Sequence, residues 1–488
     1  MEDKTADLFS GWETYPHNLS FSALDIDANR CHTKLGRESE KLFLFDGGES
    51  ELQVLQADPK AAIPEQSILS SSEQLLSYLG KPTTTRLFRI AQEHSWSQLL
   101  ITEELFRKLM TALKVHPGFL DVVHVFGEKI TASEESFTAF FSHLSPKPSN
   151  LPGCDYEIAY NIKYVARHMR NSLKDPFSIR ETGVYHNYQI EPAKSTWILL
   201  NAPDTLGERL ADAFADSKTS ELLGQLRCHT LILLCLSENW RDYVNYLEAN
   251  FSDLKMDRGF SSSLQHPVRE GAITVDFADI RSLQIMTDKL KRLIHTLKLN
   301  RKLCAHLKTF SNHVKSLQSP QVARSFCQNE AIMDNYVFQN ETQISQLESL
   351  VDRAQGVGFL IEHILDLRNA ETNHNMNLAM HDISKQGVEE NSLVRELTSQ
   401  TTQDTKAMRT IAFISAIFLP ATFLATFFGS NFFGFEDTKD GHSLTVASNI
   451  WIYVVTALAF SVVAVAIWYW WGSRRGSEPD KVNNVDMP

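Results

Sequence analysis

Two uncharged apolar runs near the C-terminal end restrict this chain more than any other feature. Ile411–Phe428 reads IAFISAIFLPATFLATFF, 18 residues without a charge, and Ile450–Trp471 reads IWIYVVTALAFSVVAVAIWYWW, 22 residues without one. As helices rising about 1.5 Å per residue they would extend roughly 27 and 33 Å, which suits a ~30 Å hydrocarbon layer. Trp451 and Tyr453 at one end of the second run, and Trp468–Trp471 at the other, match the aromatic belts of two membrane interfaces. Buried core helices are the alternative, and they seldom run this long without a charge. A helix in lipid satisfies its backbone hydrogen bonds internally. The sequence therefore predicts a two-helix transmembrane hairpin over residues 410–472, with spans 411–428 and 450–471, a loop at 429–449 and a tail at 473–488.

The flanks predict an orientation. Lys406 and Arg409 precede the first span, and Arg474 and Arg475 follow the second. The loop carries Glu436, Asp437 and Asp440 against Lys439. Lys and Arg concentrate on the cytoplasmic side of spans, so both termini are expected in the cytoplasm and the acidic loop outside. Met1–Asp7 lacks a basic region followed by an apolar one, which predicts no cleaved secretory signal.

Charge and cysteine usage narrow the partners. The chain has 47 basic and 59 acidic residues, so 47 − 59 gives −12. That balance argues against a nucleic-acid partner, which needs a basic face, and suits cations. The cysteines form no Cys-x-x-Cys pair and read as reduced thiols of a cytosolic part. No Walker loop, His-Glu-x-x-His or Gly-x-Ser-x-Gly occurs, so nothing points to an enzyme or to a bound cofactor.

Upstream of the spans, the pattern predicts an α+β cytosolic domain and a long helical stalk. Residues 1–84 read as a poorly defined segment with a few strands, and 85–280 as an α/β domain with helices. Short β-type runs recur at Arg86–Ile90, Val122–Phe126, Tyr156–Val165 and Thr196–Leu200, with a helical pattern at Ser97–Leu113. Residues 281–409 read as the stalk. No proline interrupts the stretch between Pro320 and Pro420, and Gly356, Gly358 and Gly387 are expected points of softening. Leu347, Val351, Ala354, Ile361 and Leu365 fall at near-heptad spacing, as do Met376, Met380 and Ile383, so the helix needs partners from its own chain or from copies.

One helical face of the first span mixes polar and apolar side chains. At ~100° per residue, Ser415, Thr422 and Thr426 fall on one line. Thr401, Asp404, Met408, Ile411 and Leu419 lie close to it. Such a stripe suits a pore in which polar rings stand in for water and apolar rings gate. It equally suits hydroxyls that bond back to their own helix or glue helices together. Pro420 leaves the Ala416 carbonyl without its helical donor, which favours a position facing a pore or another helix. Glu390 and Asp404 are candidates for a cytosolic vestibule.

The segment Gly429-Ser430-Asn431-Phe432, with Leu419-Pro420-Ala421-Thr422-Phe423 before it and an acidic loop after it, resembles the CorA-type magnesium transporter family. The resemblance covers roughly residues 85–475 and departs at Ser430, where the family's Gly-Met-Asn signature has methionine. It implies a homo-oligomer, a pentamer, that moves hydrated Mg²⁺ through a pore lined by the first span. Gly429, Ser430 and Asn431 would form the selectivity ring, with Asn431 holding Mg²⁺ through its waters. Met408, Ile411, Leu419 and Thr422 match the family's pore-lining and gate positions, and Ser415 and Thr426 of the same stripe would line the pore with them. Glu436, Asp437 and Asp440 would attract cations outside. Mg²⁺ would be the transported ion and a regulatory ligand at subunit interfaces, and the partners would be further copies and membrane lipid. A membrane-anchored coiled-coil scaffold and a channel for Co²⁺, Ni²⁺ or Zn²⁺ remain the rival expectations.

Overall fold

The computed structural model describes residues 8–21, 26–45, 50–57, 65–131, 136–146, 154–168, 175–216, 219, 221–257, 275–318, 320–428, 433–438 and 441–475. The chain divides into two units, Met1–Leu367 and Arg368–Pro488. The first contains strands β1 (Phe43–Leu44), β2 (Leu52–Ala57), β3 (Glu65–Leu69), β4 (Thr85–Ile90), β5 (Leu99–Thr102), β6 (Phe140–Pro146), β7 (Cys154–Arg167), β8 (Phe177–Gln189) and β9 (Lys194–Leu200). Its helices are α1 (Ala28–Arg37), α2 (Ser39–Leu42), α3 (Ser72–Leu79), α4 (Glu103–Leu113), α5 (Leu120–Val123), α6 (Asp204–Ala215), α7 (Leu222–Ser237), α8 (Trp240–Asp257) and α9 (Phe277–Ser316). Helix α10 (Pro320–Phe428) begins in the first unit and ends in the second, which also holds β10 (Phe433–Thr438), β11 (Gly441–Val446) and α11 (Ile450–Arg475).

A seven-stranded mixed sheet in the order β3-β2-β4-β9-β8-β7-β6 organises the first unit. Its only parallel pair among the described strands of this sheet is β4 with β9, and the other neighbours run antiparallel. Side chains alternate across a strand, so the sheet feeds two cores. Leu87, Trp197 and Leu199 point to one face, where α6, α7, α9 and the start of α10 cover them through Leu210, Ile232, Leu307 and Phe326. Phe88, Ile90, Ile198 and Leu200 point to the other, against Leu75 of α3 and Phe106 and Leu109 of α4.

Strands β2 and β3, which precede residue 85, belong to this sheet, since β2 pairs with β3 and with β4, the latter along six positions from Leu52↔Ile90 to Ala57↔Thr85. Two local expectations are corrected. Val122–Phe126 is not a strand: Leu120–Val123 is a short helix, and the rest follows it as turn. All five residues from Val122 to Phe126 are buried, so no face is polar and periodicity cannot separate helix from strand. Ser97–Leu113 is not one helix. Leu99–Thr102 is strand, and the helix starts only at Glu103, where the Thr102 hydroxyl accepts from the Leu105 amide at 3.3 Å.

Within the first unit, α9 and the start of α10 pack as an antiparallel pair. Lys298–Glu348, Arg301–Glu341, Lys308–Asp334 and Lys315–Glu330 form ion pairs whose numbers rise on one helix and fall on the other. These pairs lie at or near the surface, where ion pairs are screened by solvent, so they fix register more than stability. The apolar seam beneath is the main contribution: Leu290, Leu293 and Leu297 of α9 meet Ile344, Leu347 and Leu350 of α10, with Phe251 of α8 closing the third side. Leu347, Val351, Ala354 and Ile361 of the near-heptad series are buried there. Helix α10 runs through Gly356, Gly358 and Gly387 without interruption.

Candidate functional site

The second unit inverts this pattern. None of its residues from 368 to 470 whose exposure is described is buried. The α10 segment from 368 to 428 would extend about 90 Å at 1.5 Å per residue, and many of its apolar side chains are exposed, among them Met376, Ile383, Leu393 and Leu397. Two apolar stretches, one in α10 and one over Ile450–Trp470 of α11, are long enough to cross a membrane.

The positions that the sequence assigns to a pore lie on one face of α10. Met408, Ile411, Ser415, Leu419, Thr422 and Thr426 are three or four residues apart, the spacing of one helical line. All six are exposed in the single chain, with Met408 at 72% and Leu419 at 69%. From Met408 to Thr426 the line would be about 27 Å long, close to the hydrocarbon thickness. Thr401, Asp404, Leu397 and Glu390 continue it upstream, and all are exposed.

Three threonine hydroxyls on this line have defined partners. Thr422 Oγ1 donates to the Phe418 carbonyl at 2.9 Å and lies 3.0 Å from that of Leu419. Thr426 donates to the Thr422 carbonyl, and Thr401 to Leu397 at 2.7 Å. A hydroxyl that spends its hydrogen on its own helix still presents oxygen lone pairs outward. The face therefore offers acceptors, which is what the water shell of a cation requires. Back-bonding and pore lining are compatible here, although the sequence set them as alternatives.

Helix α11 lies beside the start of the first span. Phe413 and Trp468 make a tilted ring contact at 5.1 Å, and Lys406, Arg409, Thr410, Phe413 and Trp468 line a groove. This pairing joins the beginning of one apolar stretch to the end of the other, as an antiparallel hairpin requires. Between the two helices the loop is a β-ribbon, with Glu436↔Ser443 and Asp437↔His442 in register. The expected turn residues Gly429, Ser430 and Asn431, and Asp440 of the loop, lie outside the described residues.

Among the described residues, no group of three or more His, Cys, Asp or Glu side chains is placed to hold a metal ion. In the first unit the notable polar cluster is a buried chain that sequence reading did not single out, because its members are far apart in sequence. His186 Nδ1 and His229 Nε2 are 3.0 Å apart, Tyr160 Oη is 2.9 Å from His229 Nδ1, and His186 Nε2 is 3.0 Å from Ser195 Oγ. Burial pushes the His229 imidazole down to about 3 and holds that of His186 well below its usual value. Both are neutral, and the chain is a core fixture rather than a metal site.

Residues 8–258, just over half of the 488-residue chain, match the family of CorA-like transporters. The chain belongs to that family. Residues 379–474 also match the CorA-like Mg²⁺ transporter proteins, so the membership extends over the hairpin and the helix before it. The family match begins far upstream of residue 85 and includes the sheet's first strands. Among solved structures, similarity extends to the complete CorA magnesium transporter of Methanocaldococcus jannaschii at 11% identity, covering 88% of this chain and 98% of that one, with a TM-score of 0.38. It extends to the ZntB cytoplasmic domain of Vibrio parahaemolyticus at 11% identity, over 63% and 97%, with a TM-score of 0.33. The full-length CmaX protein matches at 10% identity, over 88% and 98%, with a TM-score of 0.35. No curated protein matches the sequence. As a CorA-like protein the chain is a divalent-cation transporter of the membrane and not an enzyme.

Proposed function

We propose that this CorA-like protein moves hydrated Mg²⁺ through a pore formed by the first span of several copies, a pentamer by family resemblance. One observation carries the reading: the α10 face from Met408 to Thr426 is uncovered in the single chain and combines hydroxyl acceptors with large apolar side chains. A tether needs only hydrophobic length and has no use for aligned acceptors. A ring of copies covers the face and turns it inward.

Mg²⁺ gives up its waters reluctantly, so the pore has to handle the hydrated ion. Ser415, Thr422 and Thr426 would accept hydrogen bonds from those waters, while Met408, Ile411 and Leu419 close the path by dewetting. Asn431 carbonyls, with Gly429 and Ser430 beside them, form the outer selectivity ring in this reading. A neutral amide binds weakly enough to release the ion. Glu436, Asp437 and Asp440 raise the local cation concentration at the mouth, and Glu390 and Asp404 form the cytosolic vestibule. Both termini are cytoplasmic, given Lys406, Arg409, Arg474 and Arg475 at one side of the hairpin. Mg²⁺ acting as a regulatory ligand binds between copies, where carboxylates of two chains can meet. The test is expression in cells that lack Mg²⁺ uptake. Growth at low Mg²⁺ that is lost in Asn431→Ala supports the reading, and no rescue by well-inserted wild-type protein contradicts it.

A further inference from the structure

The first unit contains a cavity of about 310 Å³ that the transport pathway does not use. It opens beside the carboxyl ends of β4 and β9, the parallel pair of the sheet. Gln92 follows β4, and Asn201 follows β9 directly; both line it. Asn201 adopts a left-handed backbone, φ 49°, and its amide donates to the Ile90 carbonyl at 2.8 Å. This turn locks the two strand ends together and leaves a crevice beyond them, the place where open α/β sheets receive ligands.

The lining is strongly basic in an acidic protein. Among the described residues around the cavity, Lys129, Lys163, Arg180, Lys291 and Arg292 are positive and Glu181 is the one carboxylate, so 5 − 1 gives +4 against −12 for the chain. Glu181 is already engaged: Lys163 Nζ lies 2.8 Å from its Oε1, and the Asn161 amide also donates to it. Lys163 is 5% exposed and donates to the Phe137 carbonyl at 2.8 Å, so this part of the wall is a built, buried polar floor. The remaining cations come from different elements, Arg180 from β8 and Lys291 and Arg292 from α9. At the rim, Trp96 is 44% exposed and Ile179 is 38% exposed, which gives an aromatic and apolar lip beside a cationic floor.

We propose that this cavity binds a nucleoside polyphosphate, with the phosphates among the lysines and arginines and the base against Trp96. Several guanidinium and ammonium groups converging on one crevice suit multiply charged phosphate, and an exposed tryptophan at the rim suits base stacking. The volume lies at the lower end of the roughly 300–1,000 Å³ of ligand sites, so the base rests at the mouth. Because Glu181 is held by Lys163, the lining has little with which to coordinate a phosphate-bound Mg²⁺. The metal-free nucleotide is therefore the preferred form, and occupancy rises as free Mg²⁺ falls.

The test is calorimetric titration of the full-length protein in lipid nanodiscs with ATP in the presence of EDTA. ATP is expected to bind, tripolyphosphate to bind less tightly, and adenosine not to bind. Lys291→Glu is expected to weaken ATP binding about tenfold or more. Trp96→Ala should weaken it about fivefold while sparing tripolyphosphate. Excess Mg²⁺ should weaken it several-fold. Lys298→Glu, on α9 but paired with Glu348 outside the cavity, should leave binding unchanged. No ATP binding, wild-type affinity in Lys291→Glu, or tripolyphosphate binding as tightly as ATP would each overturn the proposal. Binding is read without transport, so its failure is distinct from a failure of the Mg²⁺ pathway.

Discussion

At Thr422 the hydroxyl hydrogen is committed to the helix backbone, and the oxygen lone pairs are what the residue presents outward. Thr422→Val keeps the shape and removes the acceptor. Mg²⁺ flux is expected to fall roughly two- to tenfold, the worth of one hydrogen bond, with membrane insertion unchanged; wild-type flux would take Thr422 out of the pathway. A second residue-scale consequence concerns His186 and His229. Their 3.0 Å nitrogen–nitrogen contact needs one donor and one acceptor, and both rings are buried, with Trp197 stacked on His186 at 3.6 Å. Their folded pKa values lie below the unfolded value of about 6.5. Stability from this pair is therefore complete above pH ~6.5 and declines as pH falls, for His229 down to about 3. Each ring contributes a slope of up to about 1.4 kcal/mol per pH unit. Thermal melting between pH 7.5 and 4.5 should show the loss, and His229→Gln should flatten the slope; an unaltered slope would show that the rings titrate freely.

At the scale of elements, packing decides what periodicity leaves open. Leu293 and Leu347 sit fully buried in the seam between α9 and α10, so Leu293→Ala should destabilise the first unit by about 2–5 kcal/mol, read as a lowered thermal midpoint. A loss of under 1 kcal/mol would mean that the ion-pair ladder, not the seam, holds the helices. The long helices and several strands were legible in the sequence because each has a clear period or length. β4, β7 and β9 fall where Arg86–Ile90, Tyr156–Val165 and Thr196–Leu200 alternate or run apolar. Val122–Phe126 was not legible, since a turn of helix buried on every side carries no period. The partnership of β2 and β3 with β4 was hidden too, because their register depends on neighbours distant in sequence. Among site features, the α10 line followed from spacing alone. The basic cavity did not, because Lys129, Arg180 and Lys291 meet only once the sheet and α9 are assembled.

For the whole molecule, the decisive property is the contrast between a first unit with buried cores and a second with none among its described residues. Lipid covers apolar surface over the spans, but Met376, Ile383, Leu393 and Leu397 lie upstream of them and remain exposed in one chain. Further copies are the natural cover for such a stripe. Leu393→Asp is expected to shift the purified protein from oligomer toward monomer on native mass spectrometry, and an unchanged oligomer would place the interface elsewhere. The most direct test of the transport reading is Mg²⁺ flux into liposomes containing the purified protein, with Co²⁺, Ni²⁺ and Zn²⁺ as competitors. Flux through the wild type that falls to the empty-liposome level in Asn431→Ala is the expected result. No Mg²⁺ flux from oligomeric, correctly inserted protein would contradict it.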